Sequence, residues 1–212
     1  MLRVKVAKSL YAHLKSGSTS LPASQKNLVS SINKAYDLYF QMMALIVEVA
    51  RYAESRQELA KQKKLPTYED LNPNRRFVDN GVIHLIATSD AVCDHLSHRH
   101  LSWAHSSDAV KGIYNRMIES EYYNSYMSAP ESCFAADRKF VEMFYTTLDE
   151  DESLAEVIDE MSLMWNDDLS FALYMVIRTI TTIKQSHTEL KVLPKFKSDD
   201  DLDFAKTLFI KS

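Results

Sequence analysis

Glycine and proline are scarce here, with three and five among 212 residues. Sheet proteins turn tightly and often, and those turns draw on glycine's freedom at positive φ and on proline's fixed φ. So few of either argue against a β-sandwich or an α/β sheet and for long helices joined by short connections. Cysteine is scarcer still. Cys93 and Cys133 are too few and too far apart for a disulfide framework, which fits a reducing cytoplasm. Long apolar runs are also missing. The most apolar window, "MMALIVEVA", contains Glu48 and falls far short of the ~20 residues that span a bilayer. The amino end is basic but lacks the apolar core of a secretory signal. No GxSxG elbow, phosphate-cradling P-loop or GxGxxG turn occurs, so the chain reads as a cytoplasmic protein without catalytic machinery or cofactor.

What is present is helical periodicity, and 46% hydrophobic residues are enough to build a substantial core. The spacing predicts a first helix over 2–15, with Val6, Ala7, Leu10, Tyr11 and Leu14 on its apolar face. "SGSTSLPAS" ends it, with Ser24 as the expected N-cap of the next. Leu28, Ile32, Tyr36, Tyr39, Met43, Ile46, Ala50 and Ala53 then step by three and four, predicting one very long helix over about 24–63. Pro66 and Pro73 break the pattern. Further helices are expected at about 79–100, 107–127, 134–148, 153–164, 167–187 and 199–211. Pro130 and Pro194 fall in two of the gaps. The expectation is an all-α multi-helix bundle, a single region over 1–212.

The net charge of -4 hides a division. Residues 1–64 carry 11 Lys/Arg against 4 Asp/Glu, whereas 65–212 carry 14 against 25. Such asymmetry suggests an anionic partner for the amino-terminal portion, although uneven surface charge alone gives the same count.

Three constellations invite chemistry. "CDHLSHRHLSWAH" gathers Cys93, His95, His98, His100 and His105, residue types that bind zinc, but without CxxC or HExxH spacing; surface histidines are the better reading, and no metal site is expected. "LDEDESLAEVIDE" lacks the alternating ligands and glycine of a calcium loop and reads as a solvated helix start. "SEYYNSYM" offers rings that could stack bases, yet at helical spacing they read as packing.

The opening "LRVKVAKSLYAHLKSG" has four cations and no acid. At 100° per residue Lys5, Lys8 and Lys15 project within about 80° of one another, with Tyr11 at the border of the stripe. Lysines neutralise phosphates and a ring offers its face to an unstacked base, as single-stranded RNA requires. A solvated lysine face accounts for the pattern equally well.

The same stretch resembles the first helix of the transcription antitermination protein NusB family, a basic run followed by an alanine and a Leu-Tyr pair, here Ala7, Leu10 and Tyr11. "YDLYFQMMALIVEVARYAESRQELAKQKKLPTYEDLNPNRRFVDN" resembles the long helix and loop of the NusB-like proteins of Bacteroidetes. "LSW" at 101–103, "WNDDL" at 165–169 and "LPKFKSDDDLDFAKTLF" at 193–209 are similar to the same long form. The resemblance implies an all-helical, non-enzymatic factor that binds the boxA element of nascent ribosomal RNA. In the family it acts with a small-subunit ribosomal protein, NusE, and the transcription elongation complex. Carried over by position, Arg3, Lys5, Lys8 and Tyr11 belong to the RNA-contacting helix and Leu10 to the core; Lys15 joins them by periodicity only. Family members carry further arginines before this helix, where only Met1 and Leu2 stand here. The family's second helical half, with its Asn-Glu-x-x-Glu and Asn-Gly-x-Leu-Asp motifs, is not found before Ser212. The chain is then either part of a longer protein or a shortened relative, and helical faces left uncovered could pair two copies. The rival expectation is a helical scaffold that binds protein only, with the long helix as docking surface.

Overall fold

A computed structural model describes residues 2–16, 20–131, 133–165, 167–198 and 200–211. Gly17, Ser18 and Thr19 of the first linker, Asn166 of "WNDDL" and Ser212 lie outside the described residues. The fold is all-α, and the described residues contain no strand. The elements are α1 (Leu2–Lys15), α2 (Leu21–Lys61), α3 (Tyr68–Leu71), α4 (Gly81–Ala87), α5 (Asp90–Arg99), α6 (Ser107–Glu119), α7 (Glu121–Ser128), α8 (Phe134–Thr147), α9 (Glu152–Met161), α10 (Leu169–Thr182) and α11 (Asp201–Lys211). Single 3-10 turns cover Ala104–Ser106 and Leu163–Trp165.

The long helix α2 organises the bundle. Its 41 residues extend about 60 Å at 1.5 Å per residue. Ser20, not Ser24, caps it: the Ser20 side chain accepts a hydrogen bond from the Ala23 amide, and Pro22 lies in the first turn where no intrahelical donor is lost. Every residue from Asp37 to Val47 is buried. A helix apolar all round needs neighbours all round, and α4, α5, α6 and α10 pack along it. "MMALIVEVA" is therefore the axis of a bundle, and no helix among the described residues is long and apolar enough to cross a membrane.

Aromatic donors fasten the layers to this axis. Tyr145 donates to the carbonyls of Met42 (2.9 Å) and Met43 (3.2 Å), Trp103 Nε1 to Gln41 (2.9 Å) and Trp165 Nε1 to Lys34 (2.7 Å). Each buries a large ring while satisfying its polar handle.

A second, smaller cluster sits at the amino end of α2. Val6 of α1, Leu28 and Ile32 of α2, and Ala205 and Phe209 of α11 are buried together. This cluster packs α1 against α2 and α11.

The helix expected at 167–187 ends early, at Thr182, and that at 153–164 at Met161, and three internal features also differ from the sequence expectation. The helix expected at 79–100 breaks at Thr88–Ser89 into α4 and α5. That at 107–127 breaks at Ser120, which ends α6 and begins α7 by accepting a hydrogen bond from the Tyr123 amide. Inside "KKLPTYEDLNPN" a short α3 forms because Thr67 and Asp70 make a reciprocal capping box. The tyrosines of α7 pack as expected: Tyr126 is buried and stacks on Phe140, and Tyr122 and Tyr123 tilt against the same ring.

Candidate nucleic-acid interface

α1 packs through part of its expected apolar face, Val6 and Leu10, joined by Leu2. Leu2, Val6 and Leu10 face α2 and α11, with Val6 buried and the other two packed against the small cluster. Ala7 and Leu14, expected on the apolar face, are exposed, as is Tyr11, expected at its border; Tyr11 is 64% accessible and Leu14 72%. The helix is thus turned by about a quarter to a third of a revolution from the expected setting.

That rotation redistributes the five predicted site residues. Lys5 is drawn inward and is only 6% exposed. Its ammonium is hydrogen-bonded to Asp168, itself buried, at the start of α10. This is a correction to the proposed lysine stripe: Lys5 is committed to an internal ion pair and offers nothing to a ligand. Lys8 is paired with Asp167 at 2.7 Å, but both side chains are well exposed. Such surface pairs contribute about 0–1 kcal/mol and yield readily to a competing anion. Arg3 is exposed and, among the described residues, forms no ion pair. Lys15 is exposed and holds its ammonium 5.5 Å from the centre of the Tyr11 ring. The structure therefore brings Lys8, Tyr11 and Lys15 together on the outer face, sets Arg3 along its other edge, and takes Lys5 away.

Beside this face lies a groove of about 490 Å³ between α1, α2 and the Leu163–Trp165 turn. Lys8, His13, Ser24, Asn27 and Asp167 line it. His13 Nδ1 and Ser24 Oγ are 2.7 Å apart, and the His13 ring meets Phe209 edge-on. The hydroxyl and imidazole thus anchor α1 on α2. Sequence reasoning missed the acids of this site. Asp167 and Asp168 read as a helix start, and nothing local signals that they meet lysines some 160 positions away.

The histidines do not converge. His98 Nδ1 approaches its own helix at the Asp94 carbonyl (2.7 Å), and His100 takes the left-handed conformation that closes α5, with φ 52°. Among the described residues no three His, Cys, Asp or Glu side chains are gathered to hold a metal. His95 alone turns inward. Its ring stacks on Phe40 with centroids 3.9 Å apart, and Nε2 lies 3.0 Å from Asp37 Oδ1. Burial, aided by the nearby Arg99 and Lys195 charges, holds its proton affinity below the ordinary histidine value, although Asp37 acts in the opposite sense. The unfolded chain therefore takes up the proton first as pH falls. Stability is present above about pH 6.5 and declines as pH drops through that value. Urea unfolding between neutral and mildly acid pH should show a shallower pH dependence for His95→Gln than for the parent chain.

Compared with known proteins, the chain matches no family model, no curated protein and no solved structure.

Proposed function

We propose that this chain is a non-catalytic, cytoplasmic RNA-binding factor of the NusB type. It takes a boxA-like single strand of ribosomal RNA transcripts together with a small-subunit ribosomal protein, the NusE partner, and helps the elongation complex resist termination. The observation that supports this reading is the Tyr11 ring: it is exposed, has the Lys15 ammonium beside it, and shares the outer face of α1 with Lys8. A ring so placed can stack on an unpaired base while the two lysines meet the flanking phosphates. The family assignment itself rests on the sequence resemblance.

The test is a salt titration with labelled single-stranded boxA-like RNA and with a duplex of the same sequence. Tyr11→Ala should weaken single-strand binding roughly 5- to 150-fold, the worth of one stacked base, with an unchanged melting curve. Lys8→Gln and Lys15→Gln should each lower the slope of log affinity against log salt by roughly 0.7. Equal affinity for strand and duplex, insensitive to Tyr11, would refute the reading.

A protein-docking role for the same face is favoured by Val4 and Leu14, both more than half exposed on either side of Tyr11. A partner captured from nuclease-treated lysate and lost with Leu14→Glu, while Tyr11→Ala leaves RNA affinity untouched, would favour it.

A further inference from the structure

One turn beyond the α1 groove, α2 gathers a second set of cations around a single buried acid. Asp37 is 2% exposed. Arg99 of α5 donates to it from Nε and Nη2 at 3.0 and 2.8 Å, His95 Nε2 lies 3.0 Å away, and Lys34 Nζ stands at 4.0 Å. Lys195 joins from the segment between α10 and α11, donating to Asn33 at 2.8 Å. That segment is pinned to α2: Tyr36 donates to the Leu193 carbonyl (2.8 Å) and the Leu193 amide to the Tyr39 hydroxyl (3.1 Å).

Neutralising Asp37 requires one cation, and Arg99 supplies it through two hydrogen bonds. Lys34 and Lys195 are then in excess, and His95, its proton affinity lowered, adds no opposing charge. Two separate elements, α2 and the segment between α10 and α11, thus deliver surplus positive charge to one partly exposed surface, flanked on the 190–197 segment by the exposed Lys191 and Lys197. Structural economy does not account for two extra ammonium groups there; a polyanion does. Placement points to which one. Lys34 follows the groove-lining Asn27 and Ser31 by seven and three positions, so it continues the same side of α2 past the groove that Lys8 lines at the edge of the outer face of α1.

We propose that Lys34 and Lys195, set around the Arg99–Asp37 pair, form a second phosphate-binding surface, which holds the sugar–phosphate backbone of the RNA strand whose base stacks on Tyr11. The proposal rests on the RNA-binding reading above and extends it from a point contact to a track.

The experiment compares oligouridylates of about four and about 16 nucleotides, the range of single-strand site sizes, on Lys34→Gln/Lys195→Gln, with Arg99 retained to keep Asp37 paired. Affinity for the long strand should fall about 25-fold at 0.1 M salt, and its salt slope by about 1.4, the loss of two phosphate contacts. Affinity for the short strand should stay unchanged. Lys195→Gln alone should show about a fivefold loss by the same arithmetic, which guards against a folding defect in the double variant. Unchanged long-strand affinity, with Tyr11→Ala still weakening both strands, overturns this surface and leaves the RNA reading standing. Binding of neither strand by the parent chain overturns both. Displacement of the RNA by polyglutamate at equal charge concentration also overturns it, assigning the surface to acidic peptides.

Discussion

Lys5→Ala is expected to destabilise the fold by about 3–5 kcal/mol, the cost of leaving a buried carboxylate without its counter-ion. Lys5 and Asp168 are both nearly inaccessible, and their hydrogen-bonded pair joins α1 to the start of α10 across 163 positions of chain. Burial already holds the Asp168 carboxyl above the usual carboxylate range, and Lys5 is the first influence opposing that. Removing the lysine exposes the acid to the full burial penalty. Asp168→Ala alone should be comparably harmful, because it strands the ammonium. The double variant Lys5→Ala/Asp168→Ala should recover much of the loss, since no buried charge remains. Urea unfolding of the four proteins closes the cycle. The same set separates structure from binding: where the fold persists, the salt slope for RNA should not change, because Lys5 makes no outward contact. A Lys5 substitution that lowers the slope without loss of stability would return it to the interface.

Phe209→Ala should cost about 3–5 kcal/mol within the small cluster and release α1 and α11 from α2 while the main core stays closed. Phe209 is 1% exposed and packs in the group with Val6, Leu28, Ile32 and Ala205, none of which belongs to the larger cluster around residues 38–50 of α2. A core so divided opens in parts. Hydrogen exchange should therefore show amides of α1, α11 and the first turns of α2 losing protection, with Leu38–Val49 unchanged. RNA affinity should fall as well, because this cluster, with the His13–Ser24 contact and the Lys5–Asp168 and Lys8–Asp167 pairs, holds the outer face of α1 in place relative to the groove. A uniform loss of protection along all of α2 would show that the two clusters form one cooperative unit.

Much of the architecture could be read from spacing alone, and the reasons are physical. The scarcity of turn formers and the three-and-four stepping from Leu28 to Ala53 lead directly to α2, whose interior has no glycine and whose only proline sits in its first turn. The breaks at Thr88–Ser89 and Ser120 were hidden because serine and threonine occur inside helices and at their ends; which role each takes depends on tertiary packing. α1 shows the limit most sharply. Val6 and Ala7 are neighbours in sequence and about 100° apart in projection, so stripes built on either look amphipathic. Packing against α2 and the distant α11 selects the Leu2, Val6 and Leu10 side. With that choice Tyr11 emerges and Lys5 disappears, and neither outcome is encoded within residues 2–15. The Asp37 site was equally hidden. Its members come from α2, α5 and the 190s segment, and its histidine had been grouped with surface neighbours that share only proximity in sequence.

The central claim, that the outer face of α1 meets an unpaired strand, is tested most directly by ultraviolet crosslinking of a boxA-like single strand to the intact protein, followed by mass-spectrometric mapping of the attached nucleotide. The account predicts a nucleotide on the peptide containing Tyr11, lost with Tyr11→Ala and undiminished by an excess of duplex RNA. Crosslinks confined to other helices, or none under conditions where the strand is bound, would contradict it.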